Sequence, residues 1–174
     1  ALIRGSSYLA RPEVPHVVES EGEGSILCYF RDGTGGSWME ALLEEGKRVI
    51  YFGKPSDAPT GVECYAPDRA AFLRYLAGCD AVVGSAGSNL VAECVLLGKP
   101  LLALHHTRDF EQRLNAAMLS HSGVGLGAAI SASPKPILER FLTRIAASGF
   151  SRFDLAEALP PVAEVVVDQA EHLL

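Results

Sequence analysis

Short apolar segments alternate along this chain with segments of helical character, and this alternation limits the fold more than any other feature. Six segments have strand character, and they are SILCYF (25–30), KRVIYFG (47–53), GVECYA (61–66), DAVVGS (80–85), KPLLALHH (99–106) and GVGLGAAI (123–130). The central segments are apolar throughout, as strands buried on both faces are. We therefore predict an α/β fold, a doubly wound parallel sheet of about six strands with helices on both faces.

The segments between the strands carry helix start and stop signals. Asp68 and Asp109 stand where N-caps are expected, and Ser37 is the cap candidate of the first helix. The helix that begins near Ser88 is expected to stop at Gly98. Residues 134–148 and 160–174 read as closing helices. The 174 residues suffice for one domain with a full core. We predict a linker over residues 1–24 and a domain over 25–174.

Charge and cysteine content exclude several functions. The net charge of −6 argues against nucleic acid or an anionic membrane as the main partner. The four cysteines, Cys28, Cys64, Cys79 and Cys94, form neither a CxxC pair nor a zinc spacing. We predict reduced core thiols, no metal site, and a cytoplasmic protein. The longest run without charged residues, 114–134, is too polar to span a bilayer.

Ligands of parallel α/β sheets bind at the carboxyl ends of the strands, so the segments that follow the strands are the candidate site. GSAGSN (84–89) leads directly into a helix, and its free N–H groups could bind an anion or could simply form a tight turn. RDGTGGS (31–37) is a common kind of turn. HHTRDFEQ (105–112) is the densest polar cluster, and its side chains could bind hydroxyl groups or cap a helix.

Glu93 is the one charged residue within the apolar run LVAECVLL (90–97). A buried carboxylate requires a partner. One interpretation is an ion pair with a nearby Arg or Lys, and the other is a pair of hydrogen bonds from a ribose diol. The helix sequence alone leaves both open.

Two consecutive stretches resemble a known family. CDAVVGSAGSNLVAECVLLGKPLLAL (79–104) and FEQRLNAAMLSHSGVG (110–125) are similar to the carboxy-terminal half of GT-B glycosyltransferases. The similarity extends to the family that includes the peptidoglycan N-acetylglucosaminyltransferase and to related uncharacterised transferases. The shared pattern is a strand ending in small residues, a helix with one Glu, Gly-Lys-Pro, and a helix with Gln and Asn-Ala.

The resemblance implies a Rossmann-like domain that binds a nucleotide-sugar donor. The residues implied to contact the donor, from base to sugar, are Tyr65, Ala66, Glu93, Ser85, Gly87, Ser88, Asn89, His105, His106, Arg108, Asp109, Glu111 and Gln112. Tyr65 and Ala66 would border the base together with Pro67, and Glu93 would bind the ribose. The residues from Ser85 to Asn89 would face the diphosphate. The residues from His105 to Gln112 in this set would line the sugar pocket. Glu111 stands where the peptidoglycan enzyme has Gln, so the sugar stays open.

By the same resemblance, the full-length protein would transfer a hexosyl group from a UDP-sugar to an unknown acceptor without a metal or cofactor. The amino-terminal acceptor domain, which would carry the catalytic base, is expected to be absent from this chain. The start at Ala1 agrees with an excised domain, which we expect to be inactive alone. An acceptor at a membrane surface remains open. The alternatives are half of a sugar-nucleotide 2-epimerase and a non-catalytic nucleotide-binding module.

Overall fold

The computed structural model describes residues 20–151, and every structural statement below refers to them. The elements in chain order are β1 (Ser25–Tyr29), α1 (Gly36–Glu44), β2 (Arg48–Phe52), a short 3-10 turn (Pro55–Asp57), β3 (Glu63–Tyr65), α2 (Arg69–Gly78), β4 (Ala81–Ser85), α3 (Ser88–Leu96), β5 (Leu101–His105), α4 (Phe110–His121), β6 (Gly125–Ala129) and α5 (Pro134–Ala146). The predicted linker residues up to 19 and the predicted closing helix 160–174 lie outside the described residues.

The six strands form one parallel sheet in the order β3-β2-β1-β4-β5-β6. Leu27 of β1 pairs with Ile50 of β2 on one side and with Val82 of β4 on the other. The strand order therefore reverses between β1 and β4, which is the Rossmann-like arrangement. The predicted fold class is confirmed, and the reversal marks the point of the sheet edge where a ligand crevice is expected.

Apolar side chains cover both faces of the sheet. Leu27 and Val82 belong to a core shared with α2, α3 and α4, whereas Cys28 and Val83 belong to a second core shared with α1 and α5. Because successive strand residues point to opposite faces, a strand covered on both sides must be apolar at every position. This geometry is the physical reason for the uninterrupted apolar runs in the sequence.

Two acidic residues cap helices as predicted. Asp68 accepts a hydrogen bond from the Ala71 N–H at 2.6 Å and begins α2. Asp109 accepts one from the Gln112 N–H at 3.0 Å and begins α4. Both carboxylates thus satisfy backbone donors of the first helical turn.

The predicted N-cap of α1 was wrong, because Gly35 and not Ser37 has that position. A Cβ atom at Gly35 would lie 2.0 Å from the Phe30 ring, so only glycine fits where the chain turns into this helix. At the end of α3, Gly98 has a φ of +62° and its N–H donates to the Val95 carbonyl, as the stop signal predicted.

All four cysteines are reduced, and Cys28, Cys79 and Cys94 are buried. Burial raises the pKa of the Cys79 thiol to about 12, with smaller opposing effects from neighbouring groups.

Of the helices in residues 20–151, none is both long and apolar enough to cross a membrane.

Candidate functional site

A cleft of about 640 Å³ opens at the carboxyl ends of β1, β2 and β4. It lies at the reversal of strand order, where ligands bind in sheets of this type. Its walls come from the strand ends, from the starts of α2 and α3, and from the start of α4. The lining residues are Tyr29, Arg31, Phe52, Pro67, Asp68, Arg69, Phe72, Ser85, Gly87, Ser88, Asn89, Leu90, Glu93, Asp109, Glu111 and Gln112.

The start of α3 forms the middle of the cleft, and its cap differs from those of its neighbours. Gly87 is the N-cap, and a glycine has no side-chain oxygen that could bond to the first-turn N–H groups. By contrast, α2 and α4 each begin with an aspartate whose carboxylate occupies that position. Ser88 and Asn89, whose N–H groups belong to the first turn, line the cleft. An anion can bind to such a helix start.

Ser88 is held by two side chains from α4. Its hydroxyl lies 2.5 Å from Glu111 Oε1, and it accepts a hydrogen bond from Asn115 Nδ2 at 3.1 Å. Asn115 also donates to the Ala86 carbonyl at 3.0 Å. On the other side, the Ser85 hydroxyl accepts from the Arg31 N–H at 3.2 Å. These bonds fix the start of α3 between the loop after β1 and helix α4.

Glu93 is paired with Arg69, the first residue of α2. Two hydrogen bonds join the guanidinium to the carboxylate, at 2.7 and 3.2 Å. The Arg69 guanidinium also lies over the Phe72 ring, 5.8 Å from its centroid. Of the two interpretations of Glu93, the ion pair is therefore present. Each carboxylate oxygen keeps a second lone pair that could accept from a ligand.

An aromatic wall, formed by Tyr29, Phe52 and Phe72, borders the cleft on the β1 and β2 side. Phe72 contacts both other rings edge to face, with centroids 5.4 Å apart in each pair. Tyr29 is exposed, whereas Phe52 and Phe72 are buried. A flat aromatic ligand group could stack on the exposed part of this wall.

Asp32 and His106 face each other at the same edge of the sheet. Asp32 Oδ2 lies 2.7 Å from His106 Nε2. Partial burial raises the pKa of Asp32, but hydrogen bonds from Thr34 and His106 outweigh this effect and hold the pKa below its ordinary value. Because an ionised carboxylate can only accept, Nε2 carries the proton of this contact.

Two other cavities lie away from this cleft. One, of about 560 Å³, is at the opposite edge of the sheet near Asp80 and Lys99, and there the ammonium of Lys99 donates to the Cys79 carbonyl. The other, a groove beside α4, is lined by His105, Phe110 and neighbouring residues. Within residues 20–151, no group of three or more His, Cys, Asp or Glu side chains could hold a metal ion.

Sequence and structure comparisons are consistent with this geometry. The family described as Glycosyl transferase family 1 matches residues 7–146, which is most of the chain. This chain belongs to glycosyl transferase family 1. The match begins inside the segment that we predicted to be a linker. No curated protein matches the sequence.

The solved structures of SnogD, SpnG and UGT71G1 are similar to this family 1 chain, and the shared fold is that of GT-B domains. SnogD from Streptomyces nogalater is 17% identical, with a TM-score of 0.60 over 87% of this chain and 45% of its own. The rhamnosyltransferase SpnG complexed with thymidine diphosphate is 21% identical, with a TM-score of 0.64 over 88% and 47%. Medicago truncatula UGT71G1 complexed with UDP-glucose is 18% identical, with a TM-score of 0.52 over 76% and 34%. The chain spans less than half of each structure.

The structure brings most of the predicted donor-binding residues of this family 1 domain into one cleft. Those that line it are Ser85, Gly87, Ser88, Asn89, Glu93, Asp109, Glu111 and Gln112. They come from the end of β4, from α3 and its N-cap, and from the start of α4, which are separate in sequence but adjacent at the sheet edge. These eight residues thus lie in one cleft, and their role in donor binding stays a prediction.

The remaining predicted residues lie outside the cleft wall. The Tyr65 ring stacks on Phe52, and its hydroxyl accepts from that of Tyr75 at 2.8 Å. Ala66 and Arg108 are exposed, and neither lines the cleft. His105 faces the groove beside α4, and His106 faces Asp32. This side of the cleft is bordered by Pro67 and the aromatic wall, and neither Tyr65 nor Ala66 lines it.

Sequence reasoning missed the aromatic wall, Arg31, Arg69 and Asn115. Tyr29 and Phe52 end apolar strands and Phe72 lies within α2, and in a sequence such aromatic residues cannot be distinguished from core residues. Arg69 had one available signal, because Glu93 required a cationic partner. Asn115 belongs to the Asn-Ala pair of the family pattern, but its contact with Ser88 depends on how α3 and α4 pack.

Proposed function

We propose that this chain is the donor-binding domain of a GT-B glycosyltransferase. The observation that carries the proposal is the start of α3, which opens without a side-chain cap into a cleft between an aromatic wall and the polar start of α4. A nucleotide sugar has an aromatic base, a charged diphosphate and a polar sugar in the same linear order.

In this proposal the diphosphate lies at the first turn of α3, against Gly87, Ser88 and Asn89. The N–H groups and the positive end of the helix dipole stabilise charge on the leaving diphosphate without a metal. The base lies toward the aromatic wall and Pro67. Glu93 accepts from the ribose hydroxyls through the lone pairs that Arg69 leaves unused.

The sugar lies at the start of α4, against Asp109, Glu111 and Gln112. Glu111 is exposed at its helix surface, so its side chain can turn from the Ser88 hydroxyl toward a sugar hydroxyl when the diphosphate binds. The carboxylates of this cleft do not forbid an anion, since Asp68 and Asp109 bond to helix N–H groups and Glu93 bonds to Arg69.

We further propose a UDP-sugar as donor and a hexosyl group as the part transferred. The UDP-glucose complex of UGT71G1 supports UDP as the donor nucleotide, and the thymidine diphosphate complex of SpnG makes TDP the alternative. The likeness to the peptidoglycan N-acetylglucosaminyltransferase makes a lipid-linked acceptor at a membrane surface one option. We propose that an amino-terminal acceptor domain carries the catalytic base, so that residues 25–174 bind donor without transferring sugar.

The test is a calorimetric titration of the chain with UDP, TDP, GDP and ADP, repeated with Glu93→Ala and with the control Glu63→Ala. Glu63 is an exposed carboxylate at the start of β3, at the opposite edge of the sheet. We expect one pyrimidine nucleotide to bind best, Glu93→Ala to weaken it about tenfold or more, and Glu63→Ala to leave it unchanged. Failure of all four nucleotides to bind contradicts the proposal for this chain.

A further inference from the structure

The loop after β1 and the loop after β5 are joined by a contact that crosses the end of β4. Asp32 belongs to the first loop and His106 to the second, and their side chains meet at 2.7 Å although 74 residues separate them. In the sheet, β4 lies between β1 and β5. The contact therefore bridges the strand end at Ser85, from which the chain enters the cleft-lining start of α3.

Each partner is held on its own side of this bridge. Asp32 Oδ1 accepts from the N–H and the hydroxyl of Thr34, at 3.3 and 2.7 Å, which leaves Oδ2 for His106. The His106 N–H donates to Gln112 Oε1 at 3.2 Å, and its carbonyl accepts from the Asp109 N–H at 3.1 Å. Because Thr34 orients the Asp32 carboxylate and these bonds fix the backbone of His106, the contact costs less entropy than an ordinary surface pair.

The residues beside the bridge line the two ends of the cleft. Arg31 precedes Asp32 and lines the cleft from the β1 side. Asp109 and Gln112, which bond to His106, line it from the α4 side. A change in the spacing of the two loops would thus move both walls relative to the start of α3.

We propose that Asp32 and His106 form a clasp, a positioning pair that sets the spacing of the two loops and thereby raises the affinity for a nucleoside diphosphate. The inference rests on the proposed function, because it assumes that the diphosphate lies at the start of α3. The two residues act through the walls that they hold in place.

The chain offers a matched control for this pair. Arg48 and Glu63 also meet at 2.7 Å, and their side chains are 45% and 42% exposed, against 41% and 44% for His106 and Asp32. Arg48 begins β2 and Glu63 begins β3, so the control pair lies at the amino edge of the sheet, away from the cleft.

The experiment is a pair of double-mutant cycles on the full chain, with the dissociation constants of UDP and TDP measured by calorimetry. One cycle uses Asp32→Ala and His106→Ala, and the other uses Arg48→Ala and Glu63→Ala. We expect each clasp variant to weaken binding of the better nucleotide about fivefold, with the double variant no weaker than either single one. The control cycle should stay within about twofold of wild type.

A conservative variant distinguishes positioning from folding. In His106→Gln, the amide nitrogen of Gln reaches about as far as Nε2 and can donate to Asp32, so we expect it to recover most of the affinity. Thermal unfolding of the same samples should give a Tm close to wild type, since the two side chains are 41% and 44% exposed and a partly exposed pair contributes little to stability. A fall in Tm that tracks the loss of binding across all clasp variants overturns the positioning role.

The outcomes separate this inference from the proposed function. If wild type binds none of UDP, TDP, GDP and ADP, the proposed function fails, and the clasp fails with it. If wild type binds but the clasp variants bind equally well, or the double variant loses the product of the two single losses, the clasp alone is refuted.

Discussion

The carboxylate of Glu93 and the guanidinium of Arg69 form a two-point ion pair at the base of the cleft, with Glu93 3% exposed and Arg69 29% exposed. The pair joins α3 to the first residue of α2, across the edge where the strand order reverses. It explains how an acidic residue can stand in an otherwise apolar helix.

Removing Arg69 from this pair should lower the free energy of unfolding more than removing an arginine from an exposed ion pair. In Arg69→Ala, Glu93 keeps its buried carboxylate without this partner, so we expect the free energy of unfolding to fall by about 2–3 kcal/mol in urea denaturation. Arg48→Ala, which breaks the exposed pair with Glu63, should cost less than about 1 kcal/mol. Adding Glu93→Gln to Arg69→Ala should restore part of the loss, and equal losses for the two arginines would contradict the argument.

An acidic N-cap at the start of α3 should weaken ligand binding without lowering the stability of the fold. A Cβ at Gly87 meets nothing within 4 Å, and its φ of −74° suits any residue. Gly87→Asp should leave stability unchanged or raise it by about 0.5 kcal/mol, while weakening nucleoside diphosphate binding about tenfold or more. Gly87→Ala adds no charge and should bind nearly as wild type. The dissociation constants are measured by calorimetry. If Gly87→Asp binds the nucleoside diphosphate as tightly as wild type, the diphosphate does not lie at the start of α3.

Acid should remove the contribution of the exposed pair Arg48–Glu63. The hydrogen bond from Arg48 holds the pKa of Glu63 below its ordinary value of 4.5, against a smaller opposite effect of burial. A carboxylate whose pKa is lower in the folded state stabilises the fold above pH 4.5 and loses this effect as the pH falls through the folded value. NMR titration should therefore give a higher pKa for Glu63 in Arg48→Ala. An unchanged titration would refute the pairing.

The thiols should differ in accessibility. Cys28, Cys79 and Cys94 are buried, and burial raises the pKa of each thiol. We expect a thiol reagent at pH 8 to label Cys64 alone in the native protein, and slowly, because partial burial also raises its pKa. All four thiols should react in denaturant. Rapid native labelling of Cys79 would mean that the core opens readily.

The sheet could be predicted because its cause lies within each segment. A strand covered on both faces is apolar at successive positions, so DAVVGS and KPLLALHH were recognisable, with ends within one or two residues of β4 and β5. The caps at Asp68 and Asp109 were equally local. Ser37 was a wrong cap because the Phe30 ring, which leaves room only for glycine at position 35, cannot be placed from a local pattern.

Most of the predicted residues that line the cleft lie where a strand ends and a helix begins. Ser85 to Asn89 and Asp109 to Gln112 have this position, and their strands lie next to each other in the sheet, whereas Glu93 lies further along α3. Tyr65 ends β3 and Ala66 follows it, but β3 is the edge strand, and the Tyr65 ring packs on Phe52 and does not line the cleft. Position at a strand end is therefore insufficient by itself to place a residue in the cleft.

By itself, the sequence determined the fold class, the strand and helix order, and the need of Glu93 for a partner, because each depends on residue chemistry within a short segment. The tertiary structure decided which of the 15 Lys and Arg residues meets Glu93, and that Asp32 lies beside His106. Arg69 is 24 residues from Glu93, and the Asp32–His106 contact crosses β4. Such contacts follow from the strand order, which no local segment encodes.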